Sequence, residues 1–120
     1  MSSEDSIRAI IERHTNAFRS GDVRGLMADY AKDAVFLTKG PGVLKGTDAI
    51  RQLYDMVFRD VFPPSTTTLV FEAPLVAGNV GLLHWSATTP TTRTQGGFDA
   101  FFVHDGKIVA QTGGVEIIPR

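Results

Sequence analysis

From Ile7 onward the apolar positions Ile7, Ile10, Ile11, Ala17 and Phe18 recur at helical spacing, and Ser2-Ser3-Glu4-Asp5 before them supplies a cap and an acidic first turn. This predicts a first helix. Ser20-Gly21 ends it, because glycine accepts the left-handed conformation that follows a helix. Asp22 then caps a second helix carrying Val23, Leu26, Met27 and Tyr30, so the two form a helical hairpin. Residues 34–38 are short and β-prone, and Lys39-Gly40-Pro41-Gly42 reads as loop. Thr47 is placed as the cap of a third helix, whose stripe of Ile50, Leu53, Tyr54, Val57 and Phe58 stops before Pro63-Pro64.

Beyond those prolines the chain reads as strands, over 66–73, 80–88, 97–104 and 107–118. Asp105-Gly106 favours a two-residue type I′ hairpin. Counting outward from that turn pairs Val103 with Ile108, Phe101 with Ala110 and Asp99 with Thr112. One face then carries Asp99, Phe101, Val103, Ile108 and Ala110, and the other Phe98, Ala100, Phe102 and Val109. Both are apolar, so helices should cover one and a second copy of the chain the other, giving a homodimer through the sheet. Gly113-Gly114 is a place for a bulge. Helices followed by strands define an α+β fold.

Composition narrows the class of protein. The 120 residues make a single domain, 1–120, with an expected radius of gyration of roughly 14 Å. Hydrophobic residues at 42 % and charged residues at 21 % fit a globular chain rather than a disordered one. Twelve basic and thirteen acidic residues give a net charge of −1, with no basic run, which argues against nucleic acid as a partner. No apolar run reaches membrane-spanning length, and an acidic start with no cysteine leads to the expectation of a cytoplasmic protein.

Few residues offer chemistry. His14 projects from the apolar stripe of helix 1, where it is either a core histidine bonded to a backbone or tyrosine oxygen, or an acid or base lining a pocket. Asp99 sits mid-strand among phenylalanines, where desolvation should raise its pKa; the bland alternative is a hydrogen bond to Thr112 or exposure on an edge strand. Tyr30 and Tyr54 lie on core faces, their hydroxyls either reaching the surface or joining a network. His84 and Trp85 are strand neighbours, so only one of them can face the helices. The three histidines lack ligand spacing, no glycine pattern cradles a phosphate, and no G-x-S-x-G is present, so neither metal nor cofactor is expected.

Ser20-Gly21-Asp22, Asp29-Tyr30-Ala31-Lys32-Asp33-Ala34-Val35, Lys45-Gly46-Thr47-Asp48-Ala49-Ile50-Arg51 and Asp105-Gly106-Lys107-Ile108-Val109 form a familiar series. The chain resembles the nuclear transport factor 2-like superfamily, in its SnoaL-like and ketosteroid-isomerase-like branch. The resemblance implies a cone of three N-terminal helices on a strongly curved, mainly antiparallel sheet, with an apolar pocket, commonly in a dimer. By the same resemblance Asp99 matches the strand aspartate that stays protonated and donates to a developing oxyanion, a case of raised carboxyl pKa that is well known in the isomerases. His14 takes the place of the oxyanion-hole tyrosine and Thr38 that of the proton-moving aspartate, while Tyr30 and Tyr54 look like supporting tyrosines. The expected ligand is a small apolar molecule bearing a carbonyl or hydroxyl, in a pocket of Phe18, Tyr30, Leu37, Thr38, Leu53, Tyr54, His84 and Phe101. If the protein is an enzyme, His14 would act as base and Asp99 as donor to the oxyanion. The alternative is a non-catalytic ligand-binding or dimerisation module in which His14 and Asp99 satisfy each other.

Overall fold

The computed structural model describes residues 2–120. Helix α1 spans Ser3–Ser20; Ser2 caps it by accepting from the Asp5 N–H, and Glu4 and Asp5 set negative charge at the positive end of its dipole. Gly21, at φ 68°, closes it in the left-handed conformation, as the sequence predicts. Asp22 accepts from the Gly25 N–H and opens α2, Val23–Met27. That helix is shorter than its apolar spacing suggests. Tyr30 instead begins strand β1, Tyr30–Thr38, because Ile108 donates its N–H to the Asp29 carbonyl and pairs with Tyr30, claiming this backbone for the sheet.

Helix α3 spans Thr47–Met56, and its cap is Gly46 rather than Thr47. Gly46 has φ 85°, a conformation suited to glycine, and the chain turns there from strand β2, Gly42–Lys45, into the helix. Gly42 therefore belongs to a strand, not to the loop before it. After α3 the chain widens into a π-helical turn, Val57–Val61, ahead of Pro63-Pro64.

The remaining strands are β3 (Thr68–Phe71), β4 (Leu75–Ala77), β5 (Val80–Thr88), β6 (Thr92–His104) and β7 (Lys107–Pro119). They form one sheet in the order β2-β1-β7-β6-β5-β3, with β4 also on β5. Every pairing is antiparallel except that of β1 with β7. Asp105 (φ 50°) and Gly106 (φ 73°) are both left-handed, the pattern of a type I′ turn, and Val103 faces Ile108 as counted.

Past that pair the counted register fails. Phe102 pairs with Ala110, which makes Val109 an extra residue on β7, so Phe101 stands opposite Gln111 and Asp99 opposite Gly113. A second bulge lies between the pairs Gln95–Glu116 and Phe98–Gly114; its extra residue is on β6, where Gly96-Gly97 oppose Val115, and not at Gly113-Gly114, which pair regularly with Asp99 and Phe98.

The helices lie against one face of the sheet. Ile7, Ile10 and Ile11 of α1 join Ile50 of α3 and Leu83, Phe101 and Ile108 of the sheet in one core, and burial of such a side chain contributes roughly 1.5–3 kcal/mol. Gly81 permits the contact: a Cβ there would stand 2.7 Å from both Ile7 and Ile11. The radius of gyration is 13.6 Å. Among the described residues no helix is long and apolar enough to cross a membrane, and no group of His, Asp or Glu is arranged to hold a metal.

Candidate active site

A cavity of about 210 Å³ opens between α1, α3 with its π-turn, and the concave face of the sheet. Phe18, Phe36, Leu53, Phe71 and Leu83 make its wall largely apolar. Asp99 is the only carboxylate on that wall, and no lysine or arginine lies on it among the described residues.

Both Asp99 oxygens receive a hydrogen bond. Trp85 Nε1 donates to Oδ2 at 2.9 Å, and Gln111 Nε2 donates to Oδ1 at 3.1 Å. Burial pushes the carboxyl up to about 7, while the bonds from Gln111 and Trp85 pull the other way. Gln111 is itself held, because the Tyr30 hydroxyl donates to its Oε1. The Tyr30 and Tyr54 hydroxyls are 2.6 Å apart. Since Tyr30 has one proton and gives it to Gln111, Tyr54 is the donor to Tyr30. The result is a one-directional chain from Tyr54 through Tyr30 and Gln111 to Asp99, with Trp85 closing the far side. Burial raises the pKa of both tyrosines.

Local sequence builds this arrangement. The extra residue at Val109 sets Gln111 on the inner face beside Phe101. Gly97, the cross-strand partner of Trp85, lies beneath the indole; a Cβ at Gly97 would come within 2.5 Å of the Trp85 carbonyl and 3.0 Å of its ring. Phe62, at the end of the π-turn, meets the indole edge to face with centroids 5.8 Å apart.

His14 is buried on α1 among the rings of Phe101 (centroids 5.0 Å apart), Tyr54 (6.0 Å) and Phe18 (6.5 Å), and it lines the cavity. Its Nδ1 is buried with no hydrogen-bond partner. Burial lowers its pKa to about 4, against a raising influence from Asp29, so the ring is neutral at pH 7. Asp99 is held by Trp85 and Gln111, not by Thr112 or His14.

Of the residues expected in the pocket, Phe18, Thr38, Leu53 and Tyr54 line the cavity with His14 and Asp99. Tyr30 stands behind the wall as a link in the chain, and Phe101 is fully buried against His14. Two expectations are corrected by strand alternation. Leu37 is 48 % exposed because its neighbours Phe36 and Thr38 take the inward positions. His84, exposed opposite Phe98, leaves the inward place to Trp85. Gln111 was missed because the bulge that turns it inward has no sequence signature of its own.

A profile of the SnoaL-like domain matches residues 11–111, and the chain belongs to that family. No curated protein matches it. Among solved structures it is similar to an NTF2-like protein of unknown function from Burkholderia xenovorans LB400, at 19 % identity and a TM-score of 0.78, over 94 % of this chain and 84 % of that one. It is also similar to a protein assigned as a ketosteroid isomerase from Kribbella flavida (14 % identity, TM-score 0.79, 97 % and 82 % covered). An LEH-like epoxide hydrolase of M. tuberculosis shares the fold as well (16 % identity, TM-score 0.70, 94 % and 84 % covered). At such identities the likeness is one of fold, the NTF2-like cone of helices on a curved, mainly antiparallel sheet.

Proposed function

We propose that the cavity binds a small, largely apolar molecule bearing a carbonyl or hydroxyl, and that the protein moves a proton next to that carbonyl in an isomerase, cyclase or dehydratase type of reaction. Asp99 carries this reading: it is a single carboxyl on an apolar wall, given one donor per oxygen and brought by burial to about 7. A group that titrates near the working pH exchanges protons in both directions at the least cost. Enzymes among the structures of the same fold lend support to a catalytic role.

The roles expected from the sequence are better exchanged. Two N–H donors on Asp99 favour its anion, and Thr38 has no titrating group with which to move a proton, so Asp99 is the base. It takes a proton from the carbon beside the carbonyl, the electron pair passes to the carbonyl oxygen, and the proton returns to the ligand at another position. His14, neutral down to about pH 4, serves as donor to that oxygen. An orphaned buried N–H is rarer than an orphaned acceptor, so we assign the single ring proton to Nε2 and leave Nδ1 bare.

A homodimer through the outer face of the sheet completes the proposal. Val80, Phe102, Ala110 and Val35 form one cross-strand row there, and Leu82, Ala100, Thr112 and Leu37 the next; charge enters only at the edge strand, where Lys45 pairs with Val35. Phe98 and Phe102 are each 36 % exposed on this face, which a second copy would cover.

Thermal shift with a panel of unsaturated ketones and polyketide-like carbonyl compounds would find ligands. The expected outcome is a ligand that stabilises the protein and is converted, with Asp99→Asn retaining binding and losing about 10²–10⁴-fold in turnover. Conversion by Asp99→Asn at the wild-type rate would overturn the reading.

A further inference from the structure

We propose that Gln111 is the positioning residue of this site: held by Tyr30, it fixes the orientation of the Asp99 carboxyl and favours its anion. Gln111 is only 2 % exposed and is absent from the cavity wall, as is Tyr30, whereas the two ends of the chain, Tyr54 and Asp99, both lie on that wall. Gln111 therefore acts through Asp99. Its amide has two distinguishable ends, and the Tyr30 hydroxyl occupies the accepting one. Reversing the amide would turn its carbonyl oxygen towards the carboxylate and oblige Tyr30 to accept from the amide and pass its own proton to Tyr54. That penalty keeps Nε2 on Asp99 Oδ1, so an uncharged amide supplies the anion with a donor in a cavity lined, among the described residues, by no lysine or arginine.

The catalytic meaning of this arrangement rests on the proton-transfer reading, but the coupling itself can be measured without a ligand. Trp85 is the only tryptophan, and its indole N–H donates to Asp99, so its emission should follow ionisation of the carboxyl. The other titratable groups facing this unit are Tyr54 of α3, Tyr30 of β1 and His14 of α1. The tyrosines stay protonated and His14 stays neutral through the middle of the range, and His84, next to Trp85 in sequence, points to the opposite face of β5, so a step between pH 5 and 9 that disappears in Asp99→Asn belongs to Asp99.

The experiment is a pH titration of Trp85 emission in the unliganded full chain, with folding of each variant checked by circular dichroism. Wild type should show one step near pH 7, and Asp99→Asn should show none. Gln111→Met, which keeps the volume and removes the donor, should raise the midpoint by about one unit, as expected for a lost hydrogen bond to a charged group. Tyr30→Phe keeps the ring and frees the amide, and should raise the midpoint by a smaller amount. Should Gln111→Met fail to fold, Tyr30→Phe decides alone. The proposal is overturned if wild type has no such step, if folded Gln111→Met titrates at the wild-type midpoint, or if Tyr30→Phe leaves the midpoint unmoved. Loss of the catalytic reading, seen as no turnover of any ligand, would leave these midpoints intact. Where turnover is found, Gln111→Met should lower kcat and leave KM unchanged.

Discussion

Gly113 stands directly across from Asp99, and a Cβ on Gly113 would collide with Asp99 Oδ1. The backbone at Gly113 is not left-handed, so glycine is required there for space and not for conformation. The carboxyl occupies the volume that a side chain on the neighbouring strand would fill. Gly113→Ala should therefore displace Asp99 from Trp85 and Gln111 and cost about 1–3 kcal/mol, as overpacking does. Chemical denaturation and Trp85 emission measure both effects. Unchanged stability with an unchanged spectrum would contradict the account.

Asp99 and His14 make opposite contributions to stability against pH. The Asp99 carboxyl is raised in the fold, so its contribution is full below its unfolded value of 3.8 and is lost as pH rises towards about 7. The His14 ring is lowered in the fold, so its contribution is full above 6.5 and is lost as pH falls towards about 4. Between about pH 4 and 6.5 the two slopes cancel in the wild type. Each single variant should expose one of them: relative to wild type, Asp99→Asn gains stability as pH rises through this window, and His14→Gln loses it. Each variant should depart from wild type by on the order of 2–4 kcal/mol, in opposite directions, read by urea denaturation at a series of pH values. Parallel profiles for the two variants would show that neither group is perturbed as described.

His14 separates an enzyme from a binding module. A buried Nδ1 without a partner is a standing cost, so His14→Phe should stabilise the protein by about 1 kcal/mol by removing it. If the ring also donates to a ligand oxygen, the same variant should lose about 10²–10³-fold in turnover, the usual effect of deleting one such donor. Greater stability with undiminished conversion would assign His14 to packing alone.

Phe102 tests association. Phe102→Glu sets a charge in the middle of the outer apolar face and should shift a dimer to monomer in sedimentation velocity at micromolar concentration. A wild-type monomer under the same conditions would remove the dimer from the proposal.

The sequence carried the architecture because most of its boundaries are chemical. Ser2, Gly21, Asp22 and Asp105-Gly106 act through local hydrogen bonds or backbone preference, and each does so where expected. Tyr30 was misplaced because helical spacing continued past the point where β7, adjacent in the sheet but at the far end of the chain, takes over the backbone. Asp99 was legible as an acid among phenylalanines, whereas its partners were not: a single extra residue at Val109 reverses the inward and outward order of everything after it on β7. Ala110 and Gln111 exchanged roles for that reason. Leu37 and His84 fell outward through the same alternation, which is strict within a strand but has no absolute phase until one residue is anchored.

The parallel pairing of β1 with β7 sets the order in which the protein can fold. β1 finds its antiparallel neighbour β2 at once, but its other edge waits for the last strand of the sheet, with the whole of β3 to β6 lying between them in sequence. Contacts so far apart along the chain reward the loop closure late, so this pairing should form after the local hairpins. On the ribosome, Ile7, Ile10 and Ile11 are made long before Phe101 and Ile108 emerge to cover them. During synthesis the apolar stripe of α1 is therefore open to other chains, and changes within β7 should govern the yield of folded protein more strongly than equal changes in β2.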